Sequence, residues 1–196
     1  MVLWYHLIIS AYGFWLPNDP RGSWSDFVGA WELLKFGGPT KVNEKRSYAH
    51  DPHDRERRRA AKDSLKYPPV RFDANQRRVI SQGLERAMTE GAYDAYACCV
   101  GHDHAHFVIG RHQRTIERIS GHLKSKGSMS LRSAGCHPMV DYATGDIIPS
   151  PWSDGSWSVF INDDKQARAA IDYVRRHPLK EGLPEQSWSF LKVLQD

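Results

Sequence analysis

The sequence predicts an α+β domain in which an antiparallel four-stranded sheet carries helices on its surface. Three observations lead there. Runs rich in β-branched and aromatic residues recur at strand length. Longer stretches between them repeat their apolar residues at helical spacing. The two kinds follow one another as β-α-β-β-α-β, with one further helix at the end.

Each element has its own reason. Residues 3–11, LWYHLIISA, are apolar at successive positions, which marks a strand buried on both faces and so central in its sheet. Pro17, Pro20 and Gly22 in the next segment, YGFWLPNDPRGSW, exclude a regular element. A loop-rich insertion then occupies about 29–72. Inside it, DPHDRERRRAAKD is read as a short polar helix. Its cluster of Arg55, Arg57, Arg58 and Arg59 is either a phosphate-contacting patch or a solvated face. A helix is expected over 73–91, opened by a capping box of Asp73 and Gln76 and stopped at Gly91; Val79, Ile80, Leu84 and Ala87 form its packed stripe. Strands follow at 93–101 and 105–109, joined by a tight turn. A helix over 115–129 places Ile116, Ile119 and Leu123 on one face and Arg118, Lys124 and Lys126 on another. Residues 132–155 read as loop, 156–161 (SWSVFI) as a short strand, and 163–177 as a helix closed by Pro178 and Gly182. This order is the ferredoxin-like split βαβ pattern, which leaves one sheet face free for a site or an added helix.

The chain of 196 residues is sized for one domain, 1–196, and no linker divides it. Its hydrophobic and charged fractions, 40% and 26%, are those of an ordinary globular protein. A net charge of +4, with an isoelectric point near 9.0, favours a polyanionic partner. Three cysteines, no secretory segment and no membrane-length apolar run place the chain in the cytoplasm. Adjacent Cys98 and Cys99 point to opposite faces of a strand and do not pair. There is no Walker motif or dinucleotide-binding glycine set to support a nucleotide-driven reaction.

Two motifs carry chemistry. In GHDHAHFVIG, strand alternation puts His104 and His106 on one sheet face and Phe107 and Ile109 on the other. Two imidazoles on a rigid strand suit one metal ion, although a pair of surface histidines is the commoner meaning of HxH. In AAIDYVRRHPLKEGL, Tyr173 and His177 lie four apart on one helical face. Taken alone, they read as a core-edge tyrosine and a histidine at a helix C-terminus. Taken together, the motifs supply three metal ligands, His104, His106 and His177, with a phenol one turn before the third. A phenol is a weak nucleophile at its usual pKa of about 10 and needs an activated electrophile. A divalent ion on a phosphodiester oxygen provides one.

These motifs resemble the small single-tyrosine HUH transposases, in particular the branch associated with repetitive extragenic palindromes (REP). HAH at 104–106 matches the two histidines around a hydrophobic residue that name the family, and Asp103 stands where that branch has Asn or Glu. The family's D-Y-I-x-x-N-P-V-K-x-G is matched by D-Y-V-R-R-H-P-L-K-E-G from Asp172 to Gly182. His177 thus replaces a Gln or Asn ligand. The resemblance extends over nearly all of the chain, least securely at 29–72. It implies a Mg²⁺- or Mn²⁺-dependent endonuclease and strand transferase acting on single-stranded DNA beside a hairpin. Tyr173 would be the nucleophile, helped by His104 and His106, and would form a 5′-phosphotyrosine. The protein would act as a monomer or homodimer. Arg114, Arg118, Lys124, Lys126, Arg175, Arg176 and Lys180 are expected on the DNA backbone. Among Trp24, Trp31, Trp152 and Trp157, exposed rings would stack on unpaired bases, with core packing expected for Trp4 and Trp157. The competing readings are a hairpin-binding module without catalysis, a replication or relaxase-type HUH nuclease, and a phosphodiesterase that uses water.

Overall fold

The computed structural model describes residues 2–42 and 51–194. Residues 43–50 of the expected insertion lie outside them. Strand β1 (Trp4–Ala11) is central: it pairs antiparallel with β3 (His104–Gly110) on one side and β4 (Trp152–Ile161) on the other. Strand β2 (Ala95–Val100) pairs antiparallel with β3, which gives the order β2-β3-β1-β4. The fold is therefore α+β with an antiparallel four-stranded sheet, and a doubly wound parallel arrangement is excluded. Among the described residues, no helix is long and apolar enough to cross a membrane.

The helices cover the two sheet faces unequally. Helices α2 (Ala74–Gly91) and α3 (Ile116–Ser133) pack on one face. There, Leu7, Ile9, Cys98, Ala105, Phe107 and Ile109 of the sheet meet Ile80, Leu84, Ile119 and Leu123 of the helices. The two helices approach closely at Gly83, where an added Cβ would lie 2.8 Å from the Lys126 carbonyl carbon and the Ser130 hydroxyl. Asp73 caps α2 with the reciprocal Gln76 bond expected of a capping box. The helix ends at Gly91, where expected, and its cap residue Ala92 takes the left-handed conformation (φ 51°). On the opposite face lies α4 (Asp164–Lys180), whose Ile171 and Val174 sit on Ala97, Cys99 and Val108. Cys98 and Cys99 thus serve different cores.

Several boundaries differ from the sequence reading. Helix α3 continues to Ser133 because Ser130 and Leu131 add a further buried turn. Strand β4 begins at Trp152 rather than 156, since the Trp152 ring packs on Phe72 and its Nε1 donates to the Lys124 carbonyl. Pro178 lies inside α4 rather than ending it. It gives up the N–H that would meet the Val174 carbonyl, yet Glu181 and Gly182 still bond back to the last carbonyls. The edge strand β2 is shielded by the C-terminal segment. The Gln186 amide both donates to and accepts from Val100, Trp188 Nε1 donates to Cys98, and the Lys192 N–H donates to Ala95.

The region expected as an insertion carries a 3₁₀ turn, Trp31–Phe36, and helix α1 (Arg55–Asp63), capped by Asp54. These pack around Leu16, Leu33 and Ala61. Beneath them Asp19, fully buried, takes three hydrogen bonds from Arg21 and one from Arg58. Burial pushes its carboxyl up in pKa, but the Arg21 bonds and both positive charges outweigh this and hold it below the ordinary value.

Candidate metal and tyrosine site

The site forms where β3, β1 and α4 meet. Strand alternation delivers His104 and His106 to the α4 face, while Ala105 and Phe107 enter the opposite core. The β1 register sets Ile8 across from His106 and His6 across from Val108, which brings a fourth imidazole to the same face. Helical spacing of four brings Tyr173, His177 and Glu181 to the same side of α4 and its cap. One ligating atom from each of His104, His106 and His177 lies within 4.8 Å of the others, and the same holds for Asp103, His104 and Glu181.

The hydrogen bonds fix which nitrogens face inward. His104 Nδ1 lies 2.9 Å from the Asp103 carboxylate, so it carries the proton and leaves Nε2 as a lone pair. That Nε2 then accepts from His177 Nε2–H at 2.9 Å, a proton a bound cation would replace. His106 Nδ1 is 3.0 Å from His6 Nε2. Among the described residues, His106 Nε2 and His177 Nδ1 are buried without a partner. Burial lowers the His106 pKa well below its usual value, and the nearby His104, His6, His177 and Lys180 lower it further, so the ring is neutral. His6 is pushed down to about 4 by burial and by His177. Converging Nε2 atoms, a neutral buried imidazole with an orphaned Nε2 and a carboxylate behind His104 fit a divalent cation. The cluster can coordinate such an ion.

Tyr173 stands over this cluster. Its ring centroid is 5.4 Å from His177, 5.7 Å from His106 and 5.8 Å from His6, and it is 38% exposed. Burial, then Cys99 and Glu181, raise its pKa, so the phenol is protonated at rest. The Lys180 ammonium lies 4.5 Å from the ring centre. Phe14 stacks on His104 at 4.8 Å and closes the opposite wall.

His6 and Glu181 are the two participants the sequence reading missed. His6 is a polar residue in a largely apolar strand, and its parity on β1 is the usable signal. Glu181 repeats the spacing of four already noted for Tyr173 and His177. Gly101 makes room for it, because an added Cβ there would run into Glu181 Oε2.

The basic residues divide by face. Arg175, Arg176 and Lys180 are exposed on α4 beside the site. Arg118, Lys124 and Lys126 belong to α3, behind the sheet. Lys124 does not offer its ammonium to phosphate: it donates to the carbonyls of Ser153, Asp154 and Gly155 and so tethers α3 to β4. Lys126 pairs with Glu90 at 2.6 Å, and Arg114 donates to the Tyr93 hydroxyl. In the α1 cluster, Arg57 donates to the Phe36 carbonyl and Arg58 to Asp19, while Arg55 and Arg59 are exposed. Trp152 is buried in the core and offers no stacking surface. Trp31 is 82% exposed, and Trp24 meets Trp157 edge to face at 5.4 Å.

No protein-family model matches the chain, and no curated protein matches it. Among solved structures it is similar to a REP-associated tyrosine transposase bound to a REP hairpin. That match has a TM-score of 0.47 and 11% identity and spans 93% of this chain and 70% of that one. It is also similar to a candidate transposase from Deinococcus radiodurans R1, with a TM-score of 0.41 and 15% identity over 86% of each chain. Likeness at this level is distant. The functional reading rests on the site's own residues.

Proposed function

We propose that the chain, one domain over 1–196 with a ferredoxin-like βαββαβ core, is a metal-dependent endonuclease and strand transferase for single-stranded DNA. The observation that carries the reading is the meeting of Tyr173 with three inward-facing imidazoles on one sheet face. The match of HAH and DYVRRHPLKEG to the single-tyrosine HUH motifs supports it, and supports a substrate with a hairpin near the cut.

His104, His106 and His177 would hold the cation, which when bound polarises a phosphodiester oxygen. Asp103 and His6 set the tautomers: ligation through His106 Nε2 requires its Nδ1–H to donate to His6 Nε2. The Tyr173 oxygen attacks phosphorus, an O–P bond forms, and the P–O3′ bond breaks. The phenolic proton leaves to solvent, and the departing oxygen gains one to become a free 3′ hydroxyl. The Lys180 cation favours the negative charge that builds on the phenol. One phosphodiester replaces another, so rejoining needs no nucleotide hydrolysis. Arg175, Arg176 and Lys180 are suited to hold the strand against α4.

The test is a denaturing gel with end-labelled, hairpin-bearing single-stranded DNA and a divalent metal. Wild type should give a protein–DNA species that survives denaturation. Tyr173→Phe should give none and still bind the hairpin. Equal cleavage by both proteins would assign the reaction to water, and binding without any adduct would leave a non-catalytic module.

A further inference from the structure

The cluster contains one more ligand-type group than the HUH resemblance accounts for. Glu181 Oε1 lies 3.7 Å from His104 Nε2 and 3.6 Å from His177 Nε2. Atoms sharing a cation at bond lengths of about 2.0–2.2 Å stand about 3–3.5 Å apart, so this carboxylate lies just outside ligand spacing from two of the three imidazoles. It is largely buried, and its Oε2 is only a distant acceptor for the His102 N–H, at 3.4 Å. The space it occupies exists because residue 101 is glycine. In the family motif the corresponding position, between Lys and Gly, is unspecified. The adjoining departure, His177 in place of an amide, changes a neutral oxygen-type ligand to a third imidazole.

We infer that Glu181 completes a three-imidazole, one-carboxylate centre, and that this donor set commits the site to late first-row ions such as Co²⁺, Ni²⁺ or Zn²⁺ over Mg²⁺. The inference rests on the reading of His104, His106 and His177 as ligands. Mg²⁺ favours an octahedron of oxygens and keeps its water, so three nitrogens serve it poorly. Imidazole suits the later ions, whose affinities rise along the series from Mn²⁺ to Cu²⁺. The carboxylate adds the negative charge that three neutral rings lack.

The experiment uses the full chain without DNA. Co²⁺ binding is followed by its visible absorption and by calorimetry, with Mg²⁺ as the comparison, in wild type, Glu181→Ala, Glu181→Gln and His104→Ala. Co²⁺ should bind wild type on the order of a hundredfold more tightly than Mg²⁺. Glu181→Ala should weaken Co²⁺ about tenfold or more and change its absorption, and Glu181→Gln should recover part of the affinity. Unchanged affinity and spectrum in both Glu181 variants, with binding lost in His104→Ala, would overturn the role of Glu181 and keep the three-histidine site. Mg²⁺ binding as tight as Co²⁺ would overturn the metal preference. Co²⁺ binding that survives His104→Ala would remove the metal site itself, and with it the reading above. Circular dichroism of each variant separates lost folding from lost ligation.

Discussion

The two faces of one strand, β3, have opposite characters. Ala105, Phe107 and Ile109 enter a dry core beneath α2 and α3, closed by aliphatic and aromatic contact. His104 and His106, one residue out of phase, are themselves buried beneath α4, in a cluster that opens toward solvent at Tyr173 and holds four imidazoles, two carboxylates and a phenol. The first face gains stability from every atom placed there. The second accepts desolvated nitrogens with no partner, which lowers stability and makes sense only where something else supplies the missing contact. Burial alone therefore does not mark a core: the chemistry of the buried atoms separates scaffold from site.

The largest expected effect tests that contrast directly. Phe107→Ala should lose about 3–5 kcal/mol of unfolding free energy, because it leaves a cavity in a close-packed layer. His106→Ala, its strand neighbour, should cost clearly less, since along with the bond to His6 it removes a buried Nε2 that has no partner among the described residues, and should abolish metal binding. Urea denaturation and calorimetric titration of Co²⁺ measure both. Equal stability losses would erase the distinction between the faces.

Acid provides the next test. In the metal-free protein His6 and His106 are neutral when folded and titrate normally when unfolded. Between their unfolded value of about 6.5 and the folded value of about 4 for His6, the unfolded chain binds more protons. Stability should therefore be full above that window and fall as pH drops through it, by at most about 3 kcal/mol from His6. His6→Gln should flatten the slope of urea midpoint against pH. An unchanged slope would show that His6 does not carry the acid sensitivity.

Much of this arrangement is visible in the sequence, for local reasons. The capping box at Asp73, the parity of His104 and His106, and the spacing of Tyr173 and His177 are set by period and stereochemistry, so they read directly. What stayed hidden depends on distant partners. His6 matters only through a β1–β3 register fixed 100 residues away, and the Lys124 ammonium goes to carbonyls on β4. Trp152 likewise belongs to the core because of Phe72 and α3. The seven basic residues could not be sorted by face until α3 and α4 were known to lie on opposite sides.

The smallest effect expected is at His6 itself. It acts through His106, so His6→Ala should weaken Co²⁺ binding about 10–100-fold without removing it, and His6→Asn, which keeps a hydrogen-bonding group there, should restore part of the loss. Identical affinities in wild type and His6→Ala would make His6 a packing residue and shrink the polar face to the α4 and β3 side chains.

The chain separation within the cluster has a consequence for synthesis. His6 and His106 stand 100 positions apart, and His104 and His177 stand 73 apart. Contacts so distant along the chain form late, after the loops between them have closed. A growing polypeptide holding β1 through β3 has the paired histidines but neither the phenol nor the third imidazole. On the function proposed above, the capacity to break DNA would arrive only with α4, so a copy that ends before that helix would lack both the nucleophile and the third ligand.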